Sequence, residues 1–131
     1  MNRVLDSSAL ISYLEKEPGF EKVKDALSKA AESGKELLMC TVNWGEVYYI
    51  LIREYGLEKA DFTARLIETF PIEFVPADMQ LVKEAALFKS NFKLPYADSF
   101  VAALAKVRKA DILTADKEFK LVAHEIKISW V

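Results

Sequence analysis

The chain has 131 residues, with 18 Lys and Arg against 20 Asp and Glu, so its formal net charge is −2. Hydrophobic residues make up 52% and charged residues 29% of the sequence, which excludes a disordered chain and predicts a folded protein with a sizeable core. The charge lacks the basic surplus typical of nucleic-acid-binding proteins, although local patches of Lys and Arg can still contact phosphate.

Short apolar stretches bounded by polar or breaker residues predict five strands. These are Arg3–Leu5, Leu37–Thr41, Ile72–Val75, Asp111–Thr114 and Ile126–Trp130. Amphipathic patterns with capping residues and terminal Gly or Pro predict the helices between them. These are Ala9–Glu15, Phe20–Ser33, Val42–Tyr55, Glu58–Phe70, Asp78–Phe92 and Tyr96–Lys109, followed by a short turn at Lys117–Ala123. The alternation predicts one α/β domain over residues 1–131 with a largely parallel sheet.

The sequence also favours a cytoplasmic protein that does not contact a membrane. No apolar run approaches the about 20 residues of a membrane helix, and Asp6 interrupts the first apolar run too early for a signal peptide. The single cysteine, Cys40, is predicted to be a buried core thiol, and the single histidine, His124, to be exposed. One Cys and one His disfavour a zinc site, and the lack of a Gly-x-Ser-x-Gly motif disfavours a serine hydrolase.

Four acids occupy positions next to apolar residues, where soluble proteins seldom place a charge. Asp6 and Asp116 follow predicted strands, while Glu46 and Asp98 have apolar neighbours along their helices. Burying an unpaired carboxylate costs several kcal/mol, so a divalent metal ion is the expected compensation if the fold brings these acids together. Metal-dependent phosphate chemistry is then the expected purpose. Taken singly, Asp6, Asp98 and Asp116 could instead be ordinary helix-start residues.

Hydroxyl and basic side chains surround these acids in the sequence. The hydroxyls of Ser8 and Thr114 could orient carboxylates that bind a metal ion. Arg53 continues the helical stripe of Glu46 and could pair with an acid, meet RNA or touch a protein partner. Four lysines near Asp98 or Asp116 are candidate phosphate contacts, although a solvated lysine is an equally good interpretation of each. They are Lys89, Lys93, Lys117 and Lys120.

Four segments, taken in order along the chain, resemble the PIN domain. They are Asp6–Ser8, Thr41–Val47, Leu94–Ser99 and Leu113–Phe119, and the final Ile126–Val131 also looks like that family's last strand. The chain is most similar to the small VapC-type toxins of prokaryotic toxin–antitoxin pairs. The resemblance implies a three-layer α/β/α fold with a five-stranded parallel sheet in the order 3-2-1-4-5. It also implies cleavage of RNA with Mg²⁺ or Mn²⁺, leaving a 5′-phosphate and a 3′-hydroxyl.

The resemblance also implies roles for individual residues and partners. Asp6, Glu46, Asp98 and Asp116 match the catalytic, metal-binding quartet, with Asp6 and Asp98 as the principal ligands. Ser8, Thr114 and Glu118 are implied to support the quartet. Arg53, Lys93 and Lys117 are implied to contact RNA. The implied partners are an RNA substrate, a cognate antitoxin and a second copy of the chain. Apolar residues lie nearly all round Val42–Tyr55, so we expect this helix to be buried on most sides, partly between subunits.

The sequence leaves other classes of function open. One is a PIN-like scaffold that binds RNA or protein without cutting, and another is an RNA-processing nuclease without an antitoxin. A phosphoacceptor receiver domain would need an acid pair after the first strand and an aspartate after the third. Here Ser7 and Ser8 follow Asp6, and Pro76 follows the third strand, so the sequence disfavours that class.

Overall fold

A computed structural model describes residues 2–131, so Met1, the first residue of the predicted domain, lies outside the described part. Strands and helices alternate along the chain. The strands are β1 (Arg3–Leu5), β2 (Leu37–Cys40), β3 (Ile72–Val75), β4 (Asp111–Thr114) and β5 (Ile128–Trp130). The helices are α1 (Ser7–Glu15), α2 (Phe20–Ser33), α3 (Thr41–Tyr55), α4 (Leu57–Ile67), α5 (Met79–Phe92) and α6 (Tyr96–Arg108). A 3₁₀ helix, Lys117–Val122, joins β4 to β5.

The strands form one parallel sheet in the order β3-β2-β1-β4-β5, which confirms the predicted fold class. The first strand pairs with the fourth, with Val4 opposite Ile112 and Leu5 opposite Leu113. Parallel pairing puts the carboxyl ends of β1 and β4 side by side at one edge of the sheet. Asp6 directly follows β1, and Asp116 lies in the turn after β4, so the sheet brings these two acids to the same edge.

Hydrophobic clusters cover both faces of the sheet, which gives the three layers. Val4 and Ile112 face a cluster that includes α5, α6 and the 3₁₀ helix. Leu5 and Leu113 face the opposite cluster, which includes residues of α1 to α4. Because successive strand residues point to opposite faces, a sheet covered on both sides needs strands that are apolar throughout. The short continuous apolar runs in the sequence follow from this burial.

Three element boundaries differ from the prediction by more than one residue. Helix α1 begins at Ser7 and not at Ala9, because Asp6 is its N-cap. Helix α4 ends at Ile67 and not at Phe70. The backbone N–H groups of Thr69 and Phe70 donate to carbonyls three residues earlier, a 3₁₀-type pattern that ends the α-helix. Pro71 follows, which disfavours a helical conformation for Phe70. Strand β5 begins two residues later than predicted, at Ile128. The Ile126 N–H instead donates to the Val122 carbonyl of the 3₁₀ helix, although the Ile126 side chain is buried as a strand residue would be.

Helix α3 is less buried than its sequence predicts. Val47 and Leu51 lie in the core, but 53% of Tyr49 and 43% of Tyr55 are exposed to solvent. The described chain therefore covers one stripe of this helix and leaves another open. None of the helices within residues 2–131 combines the length and apolar character needed to cross a membrane.

Candidate metal centre

Asp6 lies at the switch point of the sheet, where β1 ends and α1 begins. Its carboxylate accepts a hydrogen bond from the backbone N–H of Ala9, at 2.9 Å, and so caps α1. The side chain is almost completely buried, with 1% exposure. Capping the helix and contributing to a site are therefore compatible roles for Asp6.

Two hydroxyl groups hold the Asp6 carboxylate. Ser8 Oγ lies 2.8 Å from Oδ1 and 3.0 Å from Oδ2, and Thr114 Oγ1 donates to Oδ2 at 2.8 Å. The Thr114 hydroxyl also accepts the Asp116 N–H at 2.9 Å, so it links the turn after β4 to Asp6. Burial nevertheless raises the pKa of Asp6 to about 6, and the charge of Asp116 adds to that effect. The hydrogen bonds from Ala9, Thr114 and Ser8 act in the opposite direction.

Asp98 is the most perturbed acid of the group. It lies in the first turn of α6 with 7% exposure. Burial is the main cause that raises its pKa to about 8, followed by its contact with Asp116 and by the charges of Asp116, Asp6 and Glu46. Among residues 2–131 its Oδ2 atom is buried without a hydrogen-bond partner. The fold thus brings the four predicted acids within electrostatic reach of one another, with Asp98 at the centre of their repulsion.

Glu46 approaches the group from α3, where it is half-buried. Its Oε1 accepts hydrogen bonds from Ser7 Oγ at 3.0 Å and from Asn43 Nδ2 at 3.2 Å. Neither donor was among the residues predicted for the site. The sequence carried a signal for Asn43, because residues three apart on a helix share a face and Asn43 precedes Glu46 by three. The Ser7 contact crosses between helices, and sequence spacing does not reveal such contacts.

Asp116 and its neighbours form the other side of the group. Asp116 caps the 3₁₀ helix by accepting the Glu118 N–H at 2.9 Å. The Glu118 side chain is exposed, so only its backbone takes part in this network. Lys117 is likewise exposed beside Asp116.

The predicted basic residues lie on the surface. Arg53 is exposed at the end of α3, with Glu54 at 3.8 Å as an ion-pair partner. Lys93 is exposed at the end of α5, where a positive φ of 59° ends the helix. Within residues 2–131, none of the four clustered acids forms an ion pair with Lys or Arg. The negative charge of the group is therefore uncompensated by the described chain.

The donor atoms of the cluster suit Mg²⁺ and Mn²⁺, the ions that the sequence resemblance implies. Carboxylate and hydroxyl oxygens are the ligands these hard cations take, and the unpartnered Asp98 Oδ2 supplies a buried oxygen. In the described part of the chain, no three acidic, thiol or imidazole groups converge closely enough to enclose an ion as they stand. Mg²⁺ commonly binds through one or two carboxylates with water and substrate phosphate, so the residues present fit such an ion.

The fold and this cluster define an α/β protein with an acidic centre at the switch point of a parallel sheet. Residues 3–125 match the PIN domain family, and the chain belongs to that family. Among curated protein sequences, none matches the chain.

Solved structures of similar fold include proteins described as toxins or toxin–antitoxin complexes. VapBC2 from Rickettsia felis, bound to a DNA fragment from its promoter, matches with a TM-score of 0.80 and 14% identity, covering 100% of this chain and 99% of that one. VapC20 from Mycobacterium tuberculosis, a toxin that cleaves the sarcin-ricin loop, matches with a TM-score of 0.65 and 12% identity, covering 95% of each chain. FitAcB from Neisseria gonorrhoeae matches with a TM-score of 0.71 and 19% identity, covering 98% of this chain and 96% of that one. At these identities the likeness establishes the fold.

Proposed function

We propose that this protein is a metal-dependent endoribonuclease and the toxin of a toxin–antitoxin pair. The observation that carries the proposal is the set of four uncompensated acids at the switch point, of which Asp6 and Asp98 are buried and Asp98 has a pKa raised to about 8. Such perturbed groups cluster where a protein performs chemistry or binds a ligand. Membership of the PIN domain family and the fold shared with toxins support the same conclusion.

In this proposal Asp6 and Asp98 are the principal ligands of Mg²⁺ or Mn²⁺, with Glu46 and Asp116 binding directly or through water. The bound ion would supply Lewis-acid chemistry, lowering the pKa of a water molecule and offsetting negative charge on the phosphate. The chain's own residues prepare that site. Ser8 and Thr114 fix the orientation of both Asp6 oxygens. The Asp98 carboxyl retains its proton near neutral pH until a cation compensates the charge around it.

RNA would be held by the exposed cations that the sequence singles out, Arg53, Lys93 and Lys117. Their exposure leaves them able to contact phosphate, and they offset the repulsion between an acidic centre and a polyanion. Single-stranded segments are the favoured targets because their bases and backbone are accessible.

We propose a cognate antitoxin and a second copy of this chain as protein partners. The antitoxin proposal rests on fold neighbours that were solved as VapBC and FitAcB complexes. Large apolar side chains exposed on α3 and α4 provide surface for protein contacts. They are Tyr49, Tyr55, Leu57, Phe62 and Leu66.

The experiment incubates a pool of total cellular RNA with the purified protein and Mg²⁺, Mn²⁺ or a chelator. Asp6→Asn is compared with the parent, and Asp25→Asn is the matched control, because Asp25 is an exposed acid paired with Lys29 on α2. We expect discrete cuts with metal for the parent and for Asp25→Asn, and their loss with chelator or in Asp6→Asn. RNA binding without cuts under any metal would instead indicate a non-catalytic scaffold.

A further inference from the structure

Glu46 is held by donors from two different helices. Ser7 Oγ, at the start of α1, and Asn43 Nδ2, one helical turn before Glu46, both donate to Oε1. A carboxylate oxygen has room for about two such bonds, so Oε1 is saturated. Oε2 is therefore the oxygen that Glu46 can offer to a ligand.

Asn43 also connects α3 to the helix that carries Asp98. Its Nδ2 donates a second hydrogen bond, at 3.0 Å, to the carbonyl of Ala97, the residue immediately before Asp98. The side chain is fully buried, with 0% exposure. One amide nitrogen thus contacts both the Glu46 side chain and the backbone that places Asp98.

The orientation of this amide is fixed by its partners. If the amide were reversed, Oδ1 would face two acceptor oxygens, those of Glu46 and Ala97. In the orientation observed, Oδ1 is buried with no hydrogen-bond partner within residues 2–131. Leaving a buried acceptor unpaired is unfavourable, so it is the two bonds donated by Nδ2, to Glu46 and to Ala97, that hold the amide in this orientation.

We propose that Asn43 is a positioning residue which, together with Ser7, fixes the Glu46 carboxylate and its spacing from Asp98 for metal binding. The inference rests on the proposed metal site. Hydrogen-bond partners of metal-ligating side chains typically change metal affinity by about 10–100-fold when removed. Asn43 would act in the same way, through Glu46 and the Ala97 carbonyl, without touching the ion.

The test measures the dissociation constant of Mn²⁺ on the purified protein without RNA, by electron paramagnetic resonance. Asn43→Ala removes both contacts, Ser7→Ala removes only the contact to Glu46, and Ser7→Thr retains the hydroxyl. We expect Asn43→Ala to weaken Mn²⁺ binding by about 10–100-fold. Ser7→Ala should weaken binding by a smaller factor, and Ser7→Thr should restore it.

Val23→Ala is the control for a general loss of stability, since Val23 is fully buried in α2 among other core residues. It should lower the thermal midpoint while leaving the Mn²⁺ dissociation constant at the parent's value. If Asn43→Ala and Ser7→Ala both bind Mn²⁺ as the parent does, or if Val23→Ala weakens binding as much as Asn43→Ala, the positioning role is overturned. A parent that binds no Mn²⁺ would overturn the proposed metal site itself, and the role of Asn43 with it.

Discussion

The acidic centre illustrates how a fold can hold charges that destabilise it. Asp6 and Asp98 are buried, and within residues 2–131 the groups that favour their ionised forms are hydrogen-bond donors around Asp6. Burial and mutual repulsion raise the pKa of both acids above their usual values. The metal-free protein is therefore strained electrostatically at the place where the proposed chemistry occurs, and a cation would relieve that strain.

This strain predicts how stability changes with pH. The pKa of Asp98 is raised from 3.8 in the unfolded reference to about 8 in the native protein, and that of Asp6 to about 6. Between about pH 4 and pH 8 the native state thus binds more protons than the unfolded chain, so the free energy of unfolding falls as pH rises. Thermal unfolding of the metal-free protein should show a midpoint that decreases over this range, and Mn²⁺ should reduce the decrease.

Asp98→Asn should flatten this dependence, because the amide has no proton to lose. Asp25→Asn changes an exposed acid in the same way and should keep the parent's pH profile. A profile for Asp98→Asn as steep as that of the parent would show that Asp98 is not the group responsible.

At the scale of single residues, the sequence revealed the acids more readily than their supports. Carboxylates next to apolar residues are conspicuous, so the four acids of the centre could be singled out from the sequence alone. Ser8 and Thr114 could be proposed as supports because each lies two residues from an acid. Ser7 and Asn43 look like ordinary helix-start residues. Helical spacing indicates the contact of Asn43 with Glu46, whereas the contacts of Ser7 with Glu46 and of Asn43 with Ala97 arise only when α1 and α6 pack against α3.

At the scale of elements, the sequence predicted the strands and most helix limits well. Buried parallel strands need continuous apolar runs, and such runs are easily seen between polar segments. The larger errors fell at ends where local hydrogen bonding decides the outcome, at Ser7, Ile67 and Ile128. The exposure of Tyr49 could not be predicted, because an apolar side chain indicates burial without saying whether the same chain provides it. The interpretation of the chain as a single domain stays a prediction.

Helix α3 offers a matched test of backbone conformation. No atom of the described residues outside the local backbone lies within 4 Å of a Cβ added to Gly45 or to Gly56. Gly45 is inside the helix, so Gly45→Ala should stabilise the protein by about 0.5–1 kcal/mol. Gly56 joins α3 to α4 with φ 88° and ψ 163°, a region almost confined to glycine, so Gly56→Ala should cost about 1–3 kcal/mol.

Urea unfolding of the two variants beside the parent measures both effects. The predicted signs are opposite although the chemical change is identical. Equal effects for Gly45→Ala and Gly56→Ala would mean that backbone conformation does not control the junction between α3 and α4.

At the scale of the whole molecule, the net charge of −2 limits how RNA can be held. A few local cations, and no extended basic surface, are expected to make the phosphate contacts. For single strands, each phosphate contact makes the slope of log affinity against log salt more negative by about 0.7. Three contacts, from Arg53, Lys93 and Lys117, therefore predict a slope of about −2. Binding is best measured with the Asp98→Asn variant, in which we expect no cleavage.

Removing one of these cations should reduce the slope. Lys93→Ala or Lys117→Ala, introduced into that variant, should each lower its magnitude by about 0.7. Lys29→Ala should leave it unchanged, because Lys29 lies on α2 and pairs with Asp25. A slope that none of these substitutions alters would place the RNA on another surface.

The most direct test of the central claim is the chemistry of the RNA ends. Water attacking at a metal site leaves a 5′-phosphate and a 3′-hydroxyl, whereas attack by the ribose 2′-hydroxyl leaves a cyclic phosphate and a 5′-hydroxyl. We would treat an RNA pool with Mn²⁺ or with chelator, for the parent and for Asp98→Asn, and sequence the fragments that carry a 5′-phosphate and those that carry a 5′-hydroxyl separately. We predict new 5′-phosphate ends with the parent and Mn²⁺ alone. New 5′-hydroxyl ends, or cuts that persist with chelator or in Asp98→Asn, would contradict the assignment as a metal-dependent nuclease.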